Sequence, residues 1–147
     1  MKWFNYYGLI VVAIIMIPNI VFAVKHKDGF ANAYKNKAVE IMEQIGRYGC
    51  IGLMIFNIPY TYFNFWFDSA RAVYFDVNVV LCLVYIVFWC ACKNAKARAL
   101  SLSIIPSAIF LFSGVMLAYI PLIIFAILFG VNHILLSYKN YVFSTPC

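Results

Sequence analysis

Long apolar runs separated by short polar stretches make up most of this 147-residue chain. A helix needs about 20 apolar residues to cross the hydrocarbon core of a bilayer. Runs of that length lie at residues 3–24, 45–66 and 72–92, and an unbroken apolar tract then extends from 99 to 136. The last tract is too long for one crossing and has the length of two. This pattern predicts a chain that crosses a membrane repeatedly.

A proline divides the last tract. Pro121 follows Ile120, and proline is tolerated in the first turn of a helix while it disfavours helix in the residue before it. We therefore predict a fourth span at 99–118 and a fifth at 121–136. The predicted fold is all-α: a polytopic helical membrane bundle of five transmembrane helices, one domain over residues 1–147 with a short basic C-terminal tail. The alternative is four spans with one long kinked or re-entrant segment.

The distribution of basic residues predicts the orientation, because cytoplasmic loops are enriched in lysine and arginine. With the N-terminus outside, Lys2 and Arg71 are the outer members of the eleven basic residues. The rest fall on the inner side: Lys25, Lys27, Lys35, Lys37, Arg47, Lys93, Lys96, Arg98 and Lys139. We therefore predict the N-terminus outside and the C-terminus inside.

The first span also loosely resembles a signal peptide. Lys2 precedes its apolar stretch, and residues 21–23 (VFA) have the form of a cleavage site. Cleavage there would leave the basic loop 25–37 outside, against the charge rule, and Pro18 interrupts the apolar region. We therefore prefer an uncleaved first span, with cleavage as the alternative.

Composition narrows the class of protein. Hydrophobic residues make up 66% of the chain and charged residues 11%, whereas a soluble domain is about half apolar and about a quarter charged. The net charge of +6 is spread over loops and forms no basic stripe, so we expect no nucleic-acid partner. The five cysteines and two histidines have no spacing suited to a disulfide framework or a metal. We predict no metal and no cofactor.

Aromatic residues gather near the predicted ends of the spans, where such side chains anchor at lipid headgroups. The densest group is residues 56–66, FNIPYTYFNFW, at the outer end of the second span. Pro59 bends the helix there, and water or a neighbouring helix can satisfy the freed carbonyl. The stretch is thus predicted to be the last, bent part of a membrane helix.

Polar residues at the outer side form the first candidate site, which we call the outer cluster. Asp76 lies about one turn into the third span, and Asn78 follows two residues later. Asn57 and Asn64 lie on the second span. One interpretation is a binding site for a cation or small substrate, since intramembrane carboxylates are often functional. The other is an aspartate in the headgroup zone, with amides that join helices.

A second group, which we call the inner cluster, lies at the opposite side. Glu43 and Arg47 are four residues apart on one helix and are predicted to pair. Asn19, Asn132 and His133 share their depth. One interpretation is a cytoplasm-facing polar pocket in which His133 carries a proton or binds a ligand. The alternative is a solvated ion pair beside a histidine bonded to a backbone carbonyl.

The segment GRYGCIG provides a ridge of small residues on the second span. Gly46, Gly49 and Gly52 recur at near-helical spacing, and such ridges let the backbones of two helices approach closely. We predict that this ridge packs against another helix, within the chain or in a second protein.

The sequence contains none of the motifs that mark a membrane protease, a serine hydrolase, a phosphate loop or a magnesium-dependent lipid transferase. Composition and short loops resemble those of small multi-pass bacterial membrane proteins, which implies the bacterial plasma membrane. We therefore expect a non-catalytic accessory or interaction component, with the bilayer and either a homo-oligomer or a larger membrane protein as partner. The alternatives are a small carrier or channel with an Asp/Asn-lined site, and a membrane-embedded enzyme acting on a lipid.

Overall fold

The computed structural model describes residues 3–25, 34–92 and 95–144. These residues form five α-helices: α1 Tyr6–Lys25, α2 Lys37–Ile55, α3 Ala70–Ala91, α4 Ala95–Met116 and α5 Ile120–Ser144. The all-α prediction is confirmed. Lys2, Lys27 and Lys93, which entered the orientation argument, lie outside the described residues, as does the end of the C-terminal tail.

Three of the described helical segments are long and apolar enough to cross a membrane: Ala70–Ala91, Ala99–Met116 and Ile120–Val142. α1 contributes a shorter apolar segment, Tyr6–Val21. α2 falls outside this class because its first half carries charged and amide side chains. The composition of these helices indicates a membrane protein, with three segments that meet the criteria for a span.

The predicted second span, 45–66, is wrong in its outer half. α2 begins earlier, at Lys37, because Asn36 caps it: the Asn36 Oδ1 accepts hydrogen bonds from the backbone N–H groups of Ala38 and Val39, at 3.1 and 3.3 Å. It ends at Ile55, and residues 56–69 form an irregular segment. Pro59 cannot donate to a helical carbonyl and disfavours helix before it, so the aromatic stretch folds as a loop.

The predicted break between the fourth and fifth helices is confirmed. α4 ends at Met116, and Ala118 adopts a left-handed conformation with φ of 49°. The Tyr119 N–H donates to the Gly114 carbonyl at 2.9 Å, which satisfies one of the last carbonyls of α4. α5 then begins at Ile120 with Pro121 in its first turn, where the missing N–H has no cost.

The helices run in alternating directions; α5 packs mainly against α4 and α2, and α3 packs against α4 and α1. α1 and α2 meet at one end, where the Asn5 N–H donates to the Ile55 carbonyl at 2.7 Å. We call this the outer end, after the predicted orientation; it also holds residues 56–69 and the α4–α5 turn. The opposite, inner end joins the start of α2 to the end of α5, since the Tyr34 N–H donates to Asn140.

Apolar side chains cover the outside of the bundle as well as its core. On α5 the exposed positions recur every three or four residues: Ile120, Ile124, Ile127, Val131 and Leu135. An apolar stripe of this kind suits contact with lipid rather than water. The core contains the buried Ile109, Tyr119 and Leu122.

Candidate functional site

The centre of the inner cluster is a buried ion pair, and we call Glu43, Arg47 and His133 the Glu43 centre. Glu43 is 0% exposed, although it lies in the second turn of α2. The Arg47 Nε donates to the Glu43 Oε1 at 3.1 Å, and one terminal nitrogen of Arg47 also donates to it. His133 Nδ1 lies 2.9 Å from the same oxygen. One carboxylate oxygen therefore accepts hydrogen bonds from Arg47 on its own helix and contacts His133 on α5, whose buried Nδ1 makes no hydrogen bond with the described residues.

The surroundings of the Glu43 centre restrict the movement of its members. The His133 ring stacks on Phe129 with 4.6 Å between centroids and 20° between planes. The Arg47 side chain is 37% exposed and reaches toward the surface. The second carboxylate oxygen, Oε2 of Glu43, is buried and accepts no hydrogen bond from the described residues. Burial of a carboxylate is costly unless it is paired, and Arg47 provides the partner for Glu43.

Asn19 is linked to the region of the Glu43 centre by Tyr85, a residue that was not predicted from the sequence. The buried Tyr85 donates from its hydroxyl to the Asn19 Oδ1 at 3.1 Å, which ties α3 to α1. Arg47 is close enough to interact electrostatically with the Tyr85 phenol. One feature of the sequence could have indicated Tyr85: it lies within the apolar run 72–92 rather than at its ends, and a buried tyrosine hydroxyl needs a hydrogen-bond partner.

Asn132 is not part of the Glu43 centre. Its Nδ2 donates to the Leu128 carbonyl one turn earlier in its own helix, at 2.7 Å. Because neighbouring residues on a helix point in different directions, Asn132 and His133 do not face the same partner. The structure thus brings together Glu43, Arg47 and His133, links Asn19 nearby, and leaves Asn132 locally bonded.

The glycine ridge lies along the contact between α2 and α5. A Cβ atom at Gly46 would lie 2.7 Å from the Phe129 backbone, and one at Gly49 would lie 2.1 Å from the Phe125 ring. At Gly52 a Cβ atom would meet nothing within 4 Å. Gly46 therefore permits the close approach that brings His133, one turn after Phe129, to Glu43.

The four residues of the outer cluster are dispersed. Asn78 is buried, donating to the Tyr74 carbonyl at 2.7 Å and accepting from the Ser113 hydroxyl at 3.4 Å. Asn57 accepts from the Thr61 hydroxyl at 3.0 Å within the irregular segment. The exposed Asn64 accepts from the next backbone N–H at 2.9 Å. The asparagines satisfy local partners and do not surround Asp76.

Asp76 lines an open groove of about 550 Å³ at the outer end. We call it the outer groove; its lining residues are Tyr7, Asp68, Arg71, Ala72, Phe75 and Asp76. Positions 72 and 76 are one turn apart on α3, as are 71 and 75, so one side of this helix faces the groove. The Tyr7 and Phe75 rings meet edge to face, with 6.4 Å between centroids.

The charged side chains of the outer groove are exposed. Among the described residues, Asp68, Arg71 and Asp76 line one groove without forming an ion pair within 4.0 Å. Arg71 lies over the Phe65 ring, with its Cζ atom 5.9 Å from the centroid. The groove thus offers two carboxylates, one guanidinium and two rings to a bound molecule.

The described residues contain no group of three or more histidine, cysteine, aspartate or glutamate side chains that could hold a metal ion. Comparison of the chain with protein-family models, with curated proteins and with solved structures gave no match.

Proposed function

We propose that this chain is a non-catalytic component of a membrane, an accessory or interaction subunit that packs against a larger membrane protein or a second copy of itself. The observation that carries this proposal is the use of the polar side chains inside the bundle. Several of them form pairs that join two neighbouring helices, whereas others, such as Asn132, bond within their own helix.

The pairs form a continuous series through the bundle. Asn19 with Tyr85 joins α1 to α3, Asn78 with Ser113 joins α3 to α4, Ser103 with Ser137 joins α4 to α5, and His133 with Glu43 joins α5 to α2. Interhelical bonds of this kind stabilise membrane bundles. These polar side chains hold the helices together and are not available to bind a ligand. In this proposal, function therefore depends on the outer surface of the bundle.

In the proposed arrangement all five helices cross the bilayer, with the N-terminus outside. α2 supports this because α5 covers its most buried charge, Glu43, and its 19 residues extend about 28 Å, close to the hydrocarbon thickness. The proposed location is the bacterial plasma membrane. The exposed rings of residues 56–69 would then lie at the outer headgroups, where they can anchor the loop or contact a partner.

A small carrier or channel is the second candidate function, and the outer groove is the observation that favours it. Asp76 is exposed there rather than paired, as a residue that binds a cation would be. The position of the three asparagines favours the accessory role, because a carrier site lined by Asp76 with Asn57 and Asn64 requires those side chains to converge. A lipid-directed enzyme has no comparable support.

Native mass spectrometry of the protein, extracted gently from its own host membrane, separates these functions. We expect a stoichiometric second protein or a defined homo-oligomer without a transported solute. A chain that instead retains a small solute, and loses both it and uptake activity in Asp76→Asn, would be a carrier. Glu40→Gln is the matched control, since it removes a carboxylate from α2 and leaves the outer groove intact.

A further inference from the structure

In the proposed membrane arrangement, on which this inference rests, the outer groove presents opposite charges at a depth where charge is costly. Asp76 is six residues into α3, which places it about 9 Å below the start of that helix. Ionisable groups at such positions pair with one another or with a ligand. Asp76 is exposed and, among the described residues, forms no ion pair, so its carboxylate is open to a positively charged group of a bound molecule.

We propose that the outer groove binds a molecule that carries a phosphate and a primary ammonium group, the chemistry of a phosphoethanolamine headgroup. Arg71 binds the phosphate, since a guanidinium fits phosphate oxygens in a bidentate manner. Asp76 and Asp68 accept hydrogen bonds from the ammonium, which has three donors. The groove volume of about 550 Å³ lies in the range of small-molecule sites.

The ring geometry favours a primary ammonium over a quaternary one. Quaternary ammonium groups are recognised by several aromatic faces, because they have no hydrogen to donate. In the groove Tyr7 and Phe75 meet at 77°, edge to face, so they form a wall rather than a cage. Two carboxylates and one guanidinium instead match a ligand with one negative and one donating positive end.

This ligand could be a membrane phospholipid or a soluble phosphodiester with the same headgroup. The groove opens at the outer end, beside exposed aromatic residues suited to the headgroup layer. Both sources supply the same two charged groups. The proposal does not depend on the accessory role, because a subunit and a carrier could each hold such a ligand.

The test is native mass spectrometry of the purified full-length protein in mixed micelles. These contain equal amounts of phosphatidylethanolamine, phosphatidylcholine and phosphatidylglycerol with identical acyl chains. We expect phosphatidylethanolamine to be retained preferentially. Asp76→Asn and Arg71→Gln should each weaken that binding about tenfold, as expected for loss of one charge-assisted contact. Asp76→Glu, which keeps the carboxylate, should retain the preference.

Glu40→Gln is again the control and should bind like the parent protein. Unfolding midpoints of all variants show whether the fold is kept; the mutated groove side chains are exposed, so we expect no change. Displacement by glycerophosphoethanolamine identifies a soluble source, and lipid binding that resists it identifies the bilayer; either supports the shared chemistry. Equal retention of the three lipids, or phosphatidylethanolamine binding unchanged in Asp76→Asn, would overturn the proposal.

Discussion

Glu43 and Asp76 are carboxylates at equivalent positions near opposite ends of the bundle. Each lies six residues after the first residue of its helix, Lys37 in α2 and Ala70 in α3. Glu43 is buried and paired, whereas Asp76 is exposed and lines a groove. Equal depth in a helix therefore does not give equal surroundings.

The spacing of the nearest arginine on the same helix explains part of this difference. Arg47 follows Glu43 by four residues, so the two side chains share one face. Arg71 precedes Asp76 by five residues, which turns the two side chains apart on the helix. The rest comes from packing, because α5 covers Glu43 and supplies His133. A paired, covered charge contributes to assembly, and an unpaired, open one is available for binding.

Removing the arginine at each end should give the largest contrast. Arg47→Leu leaves the buried Glu43 carboxylate with His133 as its remaining basic contact, so we expect a loss of about 3–5 kcal/mol in the free energy of unfolding. Arg71→Leu removes an exposed, unpaired charge and should change it by less than about 1 kcal/mol. Equilibrium unfolding in mixed micelles, followed by circular dichroism, measures both.

The control for this comparison is Glu43→Gln. The amide keeps the shape of the side chain and leaves no buried carboxylate, and the Arg47 side chain, which is 37% exposed, can turn toward solvent, so the loss should be smaller than in Arg47→Leu. If Arg47→Leu and Arg71→Leu were equally stable, the Glu43 centre would not hold α2 against α5.

An intermediate effect is expected along the glycine ridge. In Gly46→Ala the new methyl group would lie 2.7 Å from the Phe129 backbone, which cannot rotate away. Overpacking of this kind costs about 1–3 kcal/mol, and it should also separate His133 from Glu43. Gly52→Ala meets open space and should stabilise α2 by up to about 1 kcal/mol, because alanine favours helix over glycine.

The same micelle assay compares these two alanine variants. A double variant, Gly46→Ala with Glu43→Gln, tests their coupling. If Gly46→Ala acts by weakening the Glu43 centre, the two losses should not add. Equal effects at Gly46 and Gly52 would show that the helix contact tolerates a methyl group at both positions.

Local signals in the sequence predicted the helices and half of the Glu43 centre. Run length predicted five helices but placed the second one, 45–66, too late in the chain; Pro121 predicted the α4–α5 break, and the four-residue spacing predicted the pairing of Glu43 with Arg47. The sequence predicted only that His133 lies at the same depth as Glu43. It could not predict their contact, because the distance between the two side chains depends on how closely α2 and α5 pack.

The outer end was less predictable for a physical reason. Residues 56–66 are apolar enough to extend a helix, so hydrophobicity alone could not show that α2 ends at Ile55. Residue number gives the depth of a side chain in the membrane only within a helix. It could not do so for Asn57 and Asn64, which lie in an irregular segment. Tyr85 was missed because aromatic residues are common in membrane helices; its position within the apolar run indicates that its hydroxyl needs a partner but not which residue supplies it.

The smallest predicted change in stability is at Tyr60, at the outer end. Unlike the buried residues of the Glu43 centre, Tyr60 combines a strained backbone with full exposure. The Thr61 N–H donates to the Ile58 carbonyl at 3.3 Å, Pro59 follows Ile58, and Tyr60 has φ of 68°. This is the pattern of a type II turn, whose third position favours glycine. Tyr60 is 100% exposed, so no packing of its ring offsets the strain.

We expect Tyr60→Gly to raise the free energy of unfolding in micelles by about 0.5 kcal/mol, the relief of left-handed strain less the entropy that glycine adds to the unfolded chain. Tyr62→Gly is the control: Tyr62 is also exposed but lacks a positive φ, so glycine there should not stabilise. If Tyr60→Gly instead lowered stability, its ring would contribute to the fold. If Tyr60→Gly stabilised the isolated protein and weakened its binding to a bilayer or partner, the tyrosine ring would contact that bilayer or partner. Such a contact would explain why a tyrosine occupies a position whose backbone favours glycine.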